Sequence, residues 1–281
     1  MSAGCAARAA GVRLGPKEPI RLPLHLGRAL FLFVAAGIAG TLNAIAGGGT
    51  FVSFPAVLST GLPAVQANAT NTVALWPGLA ASAGAYLKRL DFPRRLLVPL
   101  IVTSVIGGFA GSWLLLNTPQ KVFLHLVPWL LLTGTLLFAF GPNIRTLAGK
   151  TAAIADWRRV SWRVVAVASV IELLIGVYGG YFGAGIGFIT LGMLAAIGMR
   201  DMNAMSAIRT LLAAVINAAA VLIFILGRAV FWPECLVMVA GAITGGWFGA
   251  HFAQRANPTI MRRIVIAIGV GMTAYYFVKI G

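Results

Sequence analysis

Acidic residues are almost missing from this chain. It carries 6 Asp and Glu against 22 Lys and Arg in 281 residues, and only 10% of it is charged, well below the roughly 25% of soluble domains. Cysteine is as scarce: Cys5 and Cys235 are too few for a disulfide framework or a Cys-rich zinc site. His25, His125 and His251 lie in the N-terminal tail or near the ends of apolar runs, with no second ligand at helical spacing, and read as interfacial. H-E-x-x-H, a G-x-S-x-G with a partner His and acid, a P-loop and paired aspartates within an apolar run are also absent. These absences argue against an enzyme and against ATP-driven work by this chain alone, and no metal or cofactor is expected.

What fills the chain instead is apolar: 59% of the residues are hydrophobic. Runs with little or no charge cover about 28–62, 69–87, 96–116, 122–140, 162–199, 203–227, 234–254 and 264–279, and a bilayer core of roughly 30 Å needs about 20 such residues per helix. The runs are continuous and rich in Leu, Ala and Gly, unlike the alternating ten-residue segments of a membrane β-barrel. The fold class expected is therefore an all-α polytopic membrane protein with the lipid bilayer as its surroundings. Its net charge of +16 sits between and beside the runs, as positive-inside loops against anionic lipid do, and does not indicate nucleic acid. Residues 1–27 are basic, with Pro16, Pro19 and Pro23 discouraging a helix, and read as a disordered cytoplasmic tail and not a cleaved signal.

A shift of 138 residues places Ala46, Gly47 and Gly49 on Ala184, Gly185 and Gly187; Ala69 and Thr72 on Ala207 and Thr210; and Gly107, Gly108 and Gly111 on Gly245, Gly246 and Gly249. One ungapped offset for three clusters points to internal duplication, a common way to build transporters. The division expected is a tail (1–27), a first transmembrane repeat (28–140), a basic cytoplasmic linker (141–161) and a second transmembrane repeat (162–281). The segment from Arg28 to Leu62 would be about 52 Å long as one helix, too long for one crossing and too short for two. It contains "NAIAGGGTFVSFP"; its mate, from Trp162 to Met199, contains "GGYFGAGIGF". Each is expected to be a broken or re-entrant helix, because backbone groups freed at membrane depth are tolerated only against protein or a water-filled cavity. The Gly107 and Gly245 clusters read as close helix packing. Counting one crossing per broken segment gives about eight transmembrane helices and both termini on one side, but leaves the basic loop at 255–263 on the wrong side; an odd number per half would invert the repeats.

A polar helix start follows each break. The candidate substrate-binding set is Asn43, Gly47, Gly48 and Gly49 at the first break, Asn68, Asn71 and Thr72 after it, Gly183, Gly185 and Gly187 at the second, and Ser206, Arg209 and Thr210 after that. Arg209 lies inside an apolar run, where a charge costs on the order of 2.5 to 3.5 kcal/mol and is expected to face the bundle interior. Its fork of donors suits an oxyanion, while snorkelling to the interface or pairing with Glu172 are the structural alternatives. Glu172, the one acid well inside a run, could carry a proton or simply pair with Arg209. Asn43 could equally bond freed backbone groups. Trp76–Pro77 reads as a packed kink.

With these residues quoted, "GIAGTLNAIAGGGTFVSFPAVLSTGLPAVQANATNT" and "GVYGGYFGAGIGFITLGMLAAIGMRDMNAMSAIRT" resemble the paired motifs of the sulfite exporter TauE/SafE family, over about residues 30–280. Ile45 and Ile186 stand where that pattern is more open. The resemblance implies a bacterial inner-membrane permease of seven to nine helices, made by duplication, that moves sulfite, sulfonates or other small organic anions. A small anionic substrate is then the expected partner, with no cofactor. An anion channel and a non-transporting membrane scaffold are the other readings, and the sequence fixes no oligomeric state.

Overall fold

The computed structural model describes residues 25–45, 48–87, 92–150, 161–199, 201–253 and 258–280, and among these it is helical with no strand. Ten helices follow in order: α1 (Leu26–Ile45), α2 (Thr50–Ser59), α3 (Ala64–Leu87), α4 (Arg94–Asn117), α5 (Gln120–Lys150), α6 (Trp162–Tyr181), α7 (Ile186–Ala196), α8 (Met202–Leu226), α9 (Trp232–Ala253) and α10 (Pro258–Ile280). Three pairs of helices keep the spacing seen in the sequence. α3 and α8 start at 64 and 202, α4 and α9 at 94 and 232, and α5 and α10 at 120 and 258, each pair 138 residues apart.

Both long apolar segments are broken where their glycines lie, and in each the second piece folds back along the first. Gly49 N–H donates to Asn43 Oδ1 at 2.7 Å, and a Cβ on Gly49 would lie 2.4 Å from the Ala39 carbonyl oxygen. In the second half the Tyr178 hydroxyl donates to the Ala184 carbonyl at 2.8 Å, across the turn between α6 and α7. Each break is therefore a re-entrant hairpin that adds no net crossing.

The expected count of eight spanning helices is supported in part. Among the described residues six helices are long and apolar enough to span a membrane: Leu26–Asn43, Arg94–Asn117, Gln120–Asn143, Trp162–Tyr181, Met202–Leu226 and Arg263–Ile280. Net passage from end to end comes from α3, α4 and α5 in one half and α8, α9 and α10 in the other.

Helix direction follows from contacts far apart in sequence. Arg28 pairs with Glu234 at 3.4 Å, and further along both helices Thr41 Oγ1 donates to Gly245 O at 2.8 Å, so α1 and α9 run parallel. α4 and α6 run parallel too: a Cβ on Gly107 would lie 2.8 Å from Gly176 Cα, and one on Gly111 would lie 2.0 Å from Val177 O. Val65 N–H donates to Gln120 Oε1 at 2.9 Å, so α3 and α5 start at one end. Phe231 N–H donates to Thr70 Oγ1 at 3.0 Å, which brings α9 to that same end. Arg95 lies over the Trp162 ring, 4.7 Å from its centroid, which places the starts of α4 and α6 together at the other end. Each helix of the first half thus runs opposite to its counterpart in the second.

The helices sort into two shells. Large apolar side chains are exposed along α1, α4, α5, α6, α9 and α10, as lipid-facing helices require, whereas among the described residues none is exposed on α2, α3 or α7, and on α8 only near its ends. The polar α3 can exist at membrane depth because this outer ring keeps it from lipid. Small residues close the ring: Gly108 meets Ile216 O of α8, and Gly245 meets Gly37 O of α1, where an added Cβ would come within 2.6 and 1.9 Å.

Gly111→Ala is expected to lower thermal stability by about 1–3 kcal/mol through overpacking. Gly271→Ala, with nothing within 4 Å of the added Cβ, should leave it level or slightly raised. Unfolding of the two purified variants in detergent, followed side by side, checks this.

Candidate functional site

The half-helices α2 and α7 both begin at the breaks, so their N-terminal ends, with peptide N–H groups and positive partial charge, are buried in the protein. α5 passes between them. Phe138 of α5 makes edge contacts with Phe51 in the first turn of α2 (6.1 Å) and with Phe188 in the first turn of α7 (4.5 Å). Gly134 leaves the room: a Cβ there would be 3.0 Å from both Phe51 Cζ and Ala184 Cβ.

The two breaks are built differently. At the first, Gly48 is packed against Val265 and Phe138, and Asn43 spends its oxygen on Gly49 N–H, so the alternative that Asn43 serves the backbone describes its observed contact. Gly47 lies outside the described residues. At the second, Gly183 and Gly185 have φ of +81° and +82°, a left-handed conformation that glycine adopts without the strain a side chain brings. Gly187 follows in the first turn of α7. A Cβ there would sit 3.0 Å from Arg209 Cδ and 3.3 Å from its Nη1, so the glycine admits the arginine to the start of the half-helix.

Arg209 is half-buried on α8, seven residues past the start of that helix at Met202. Its neighbours on the candidate list are accounted for locally. Thr210 Oγ1 donates to Ser206 O at 2.8 Å, and its counterpart Thr72 Oγ1 donates to Asn68 O at 2.9 Å. Asn68 Nδ2 donates to Tyr181 O at 3.0 Å, tying α3 to the end of α6. The structure therefore gathers Gly187 and Arg209 at one corner and Asn68 with Tyr181 at the other side of the same break. Asn71 lies on α3, 1% exposed, three residues from Asn68.

Glu172 is fully buried. Its Oε1 accepts a 2.7 Å hydrogen bond from Ser104 Oγ of α4, and its Oε2 accepts none. The hydrogen bond that holds Glu172 thus joins α6 to α4. Among the described residues no group of three or more His, Cys, Asp or Glu could hold a metal ion.

Residues 32–276 match the family model described as sulfite exporter TauE/SafE. The chain belongs to this family. It is accordingly a multi-pass membrane transporter protein. A protein of Haemophilus influenzae named "Probable membrane transporter protein" is 28% identical over 244 residues, covering 86% of this chain and 92% of that one. "Probable membrane transporter protein ORF9" of a Sinorhizobium species is 30% identical over 243 residues, covering 86% and 89%. "Probable membrane transporter protein YfcA" of Escherichia coli K12 is 27% identical over 259 residues, covering 90% and 89%. No solved structure matches the chain.

In this TauE/SafE chain, Phe138, Gly134 and Tyr178 shape the breaks without having stood out in the sequence. Gly134 interrupts an apolar run and could have been noticed; Phe138 is one of 16 phenylalanines and carried no signal. Trp76 offered one: its Nε1 donates to Ala214 O at 3.1 Å, a residue 138 positions on and hence its own counterpart. Gly187→Val is expected to push Arg209 off the start of α7. It should leave expression and detergent behaviour near wild type and abolish transport, as measured by protein yield and substrate uptake on the same preparations.

Proposed function

We propose that this TauE/SafE protein is a secondary transporter that carries small anions, sulfite, organosulfonates or related organic anions, across the bacterial inner membrane by alternating access. The observation that carries the reading is the approach of Arg209 to Gly187 at the buried start of α7, which combines a guanidinium fork with helix N-terminal N–H groups. Gly183 and Gly185 would shape the approach to that corner, with Ser206 and Thr210 flanking the arginine. The start of α2, with Gly48 and with Gly49 beside Asn43, would supply the weaker opposite wall, and Thr72 would line it from α3. Two repeats of opposite direction supply the two access routes such a cycle needs.

Charge supports a sidedness for this arrangement. The connections before α4, α6, α8 and α10 share one end of the bundle. Together with the helix ends beside them they hold Lys88 to Arg95, Arg145 to Arg163, Arg200, and Arg255 to Arg263. The positive-inside rule makes that end cytoplasmic. The loop at 255–263 then falls on the correct side. α1 starts at the opposite end. Reporter fusions after Arg89 and after Arg255 are expected to report the cytoplasm, and a fusion at Thr118 the other face.

The transport reading is tested by uptake of radiolabelled sulfite into proteoliposomes, with sulfoacetate and chloride as competitors. Wild-type uptake should saturate and be competed by sulfoacetate, and Arg209→Ala should raise the half-saturating concentration roughly ten- to hundredfold, the worth of one charge-assisted contact. Flux that does not saturate would favour a channel, and full activity in Arg209→Ala would remove the arginine from the site.

A further inference from the structure

The amide oxygens of Asn68 and Asn71 do not fit the anion site. Both residues are 1% exposed. They lie three apart on α3, so their side chains leave the same face. The Oδ1 of each is buried and accepts no hydrogen bond within the protein. The bond from Asn68 Nδ2 to Tyr181 O, at 3.0 Å, places this amide beside the C-terminal end of α6, where the aligned peptide dipoles concentrate negative partial charge. A buried acceptor without a donor costs on the order of 1–3 kcal/mol. Two of them on one helix face, next to a carbonyl helix end, repel an anion and favour a hard cation.

The chemistry of the donors narrows the cation. Amide and backbone oxygens are neutral, and neither asparagine brings the carboxylate charge with which divalent ions are held. In transporters with discontinuous helices, unwound carbonyls and half-helix C-termini are also the places where coupling ions bind. We propose that Asn68 Oδ1, Asn71 Oδ1 and the carbonyl end of α6 around Tyr181 bind a sodium ion. The ion site lies where α6 enters the second break, and Arg209 lies where α7 leaves it. Cation and anion would neutralise one another across a few residues of backbone and so bind together. That coupling rests on the anion reading given above; the ion site itself does not.

The test is thermal unfolding of the purified full chain in detergent, with NaCl compared with choline chloride at equal concentration so that chloride is constant. A saturable rise in the unfolding temperature is expected with NaCl alone, and its loss is expected in Asn71→Leu. Equal shifts in the two salts, or an undiminished sodium shift in Asn71→Leu, would overturn the proposal. Should Asn71→Leu not fold, Asn71→Asp supplies the second measurement. An added carboxylate should move the half-saturating NaCl concentration down by roughly tenfold, and an unchanged midpoint would overturn the proposal as well. Because chloride is common to both salts, failure here leaves the Arg209 uptake experiment untouched, and failure there leaves this one interpretable.

Discussion

A peptide group inside hydrocarbon has no water to bond, and the architecture of this transporter follows from where it breaks that restriction. Two helices stop at membrane depth, after Ile45 and after Tyr181, and each stop frees N–H and C=O groups. The remedy is local first: Asn43 takes Gly49 N–H, Tyr178 donates to Ala184 O, and Asn68 donates to Tyr181 O. It is then global, since an outer ring of six apolar helices keeps the broken ones away from lipid. Interior helices can consequently be polar. α3 carries Asn68, Thr70 and Asn71 at 1% exposure or less, and the one charge carried deep in α8, Arg209, rests against the backbone of a half-helix and not against the bilayer.

Much of this arrangement was readable from residue order. The second glycine run marks its break because glycine holds φ near +80° without the strain a side chain brings, as Gly183 and Gly185 do, and the first marks its break because Gly49 leaves no room for a Cβ against Ala39 O. The constant offset of 138 matches the starts of three helix pairs. Arg209 could be assigned to the interior because a lipid-facing guanidinium there would be costly. Direction was not readable. Hydropathy measures how far a segment can reach, and a hairpin and a crossing of equal length have the same composition. What decides between them is contact between residues far apart in the chain, such as Thr41 with Gly245 or Gly111 against Val177, and glycines that let backbones touch look the same in sequence whichever neighbour they touch.

The candidate site was legible to the same degree. Gly187 and Arg209 belong to motifs that stand out, and they meet. Asn68 and Asn71 stood out equally, yet which end of the Asn68 amide is left without a partner depends on Tyr181 O of another helix. Phe138, which lies between the starts of the two half-helices, is one aromatic among many until its neighbours are known.

The bond from Trp76 to Ala214 joins two counterparts on α3 and α8, and it cannot be drawn in reverse, because alanine has no indole to offer the carbonyl of residue 76. If the two halves traded conformations, an exactly symmetric molecule would come back to the same energy. This one would not. The indole would have to find another acceptor or lose its bond, so under alternating access this contact would set the two orientations apart in energy, and position 76 would adjust that balance without altering any residue of the candidate site.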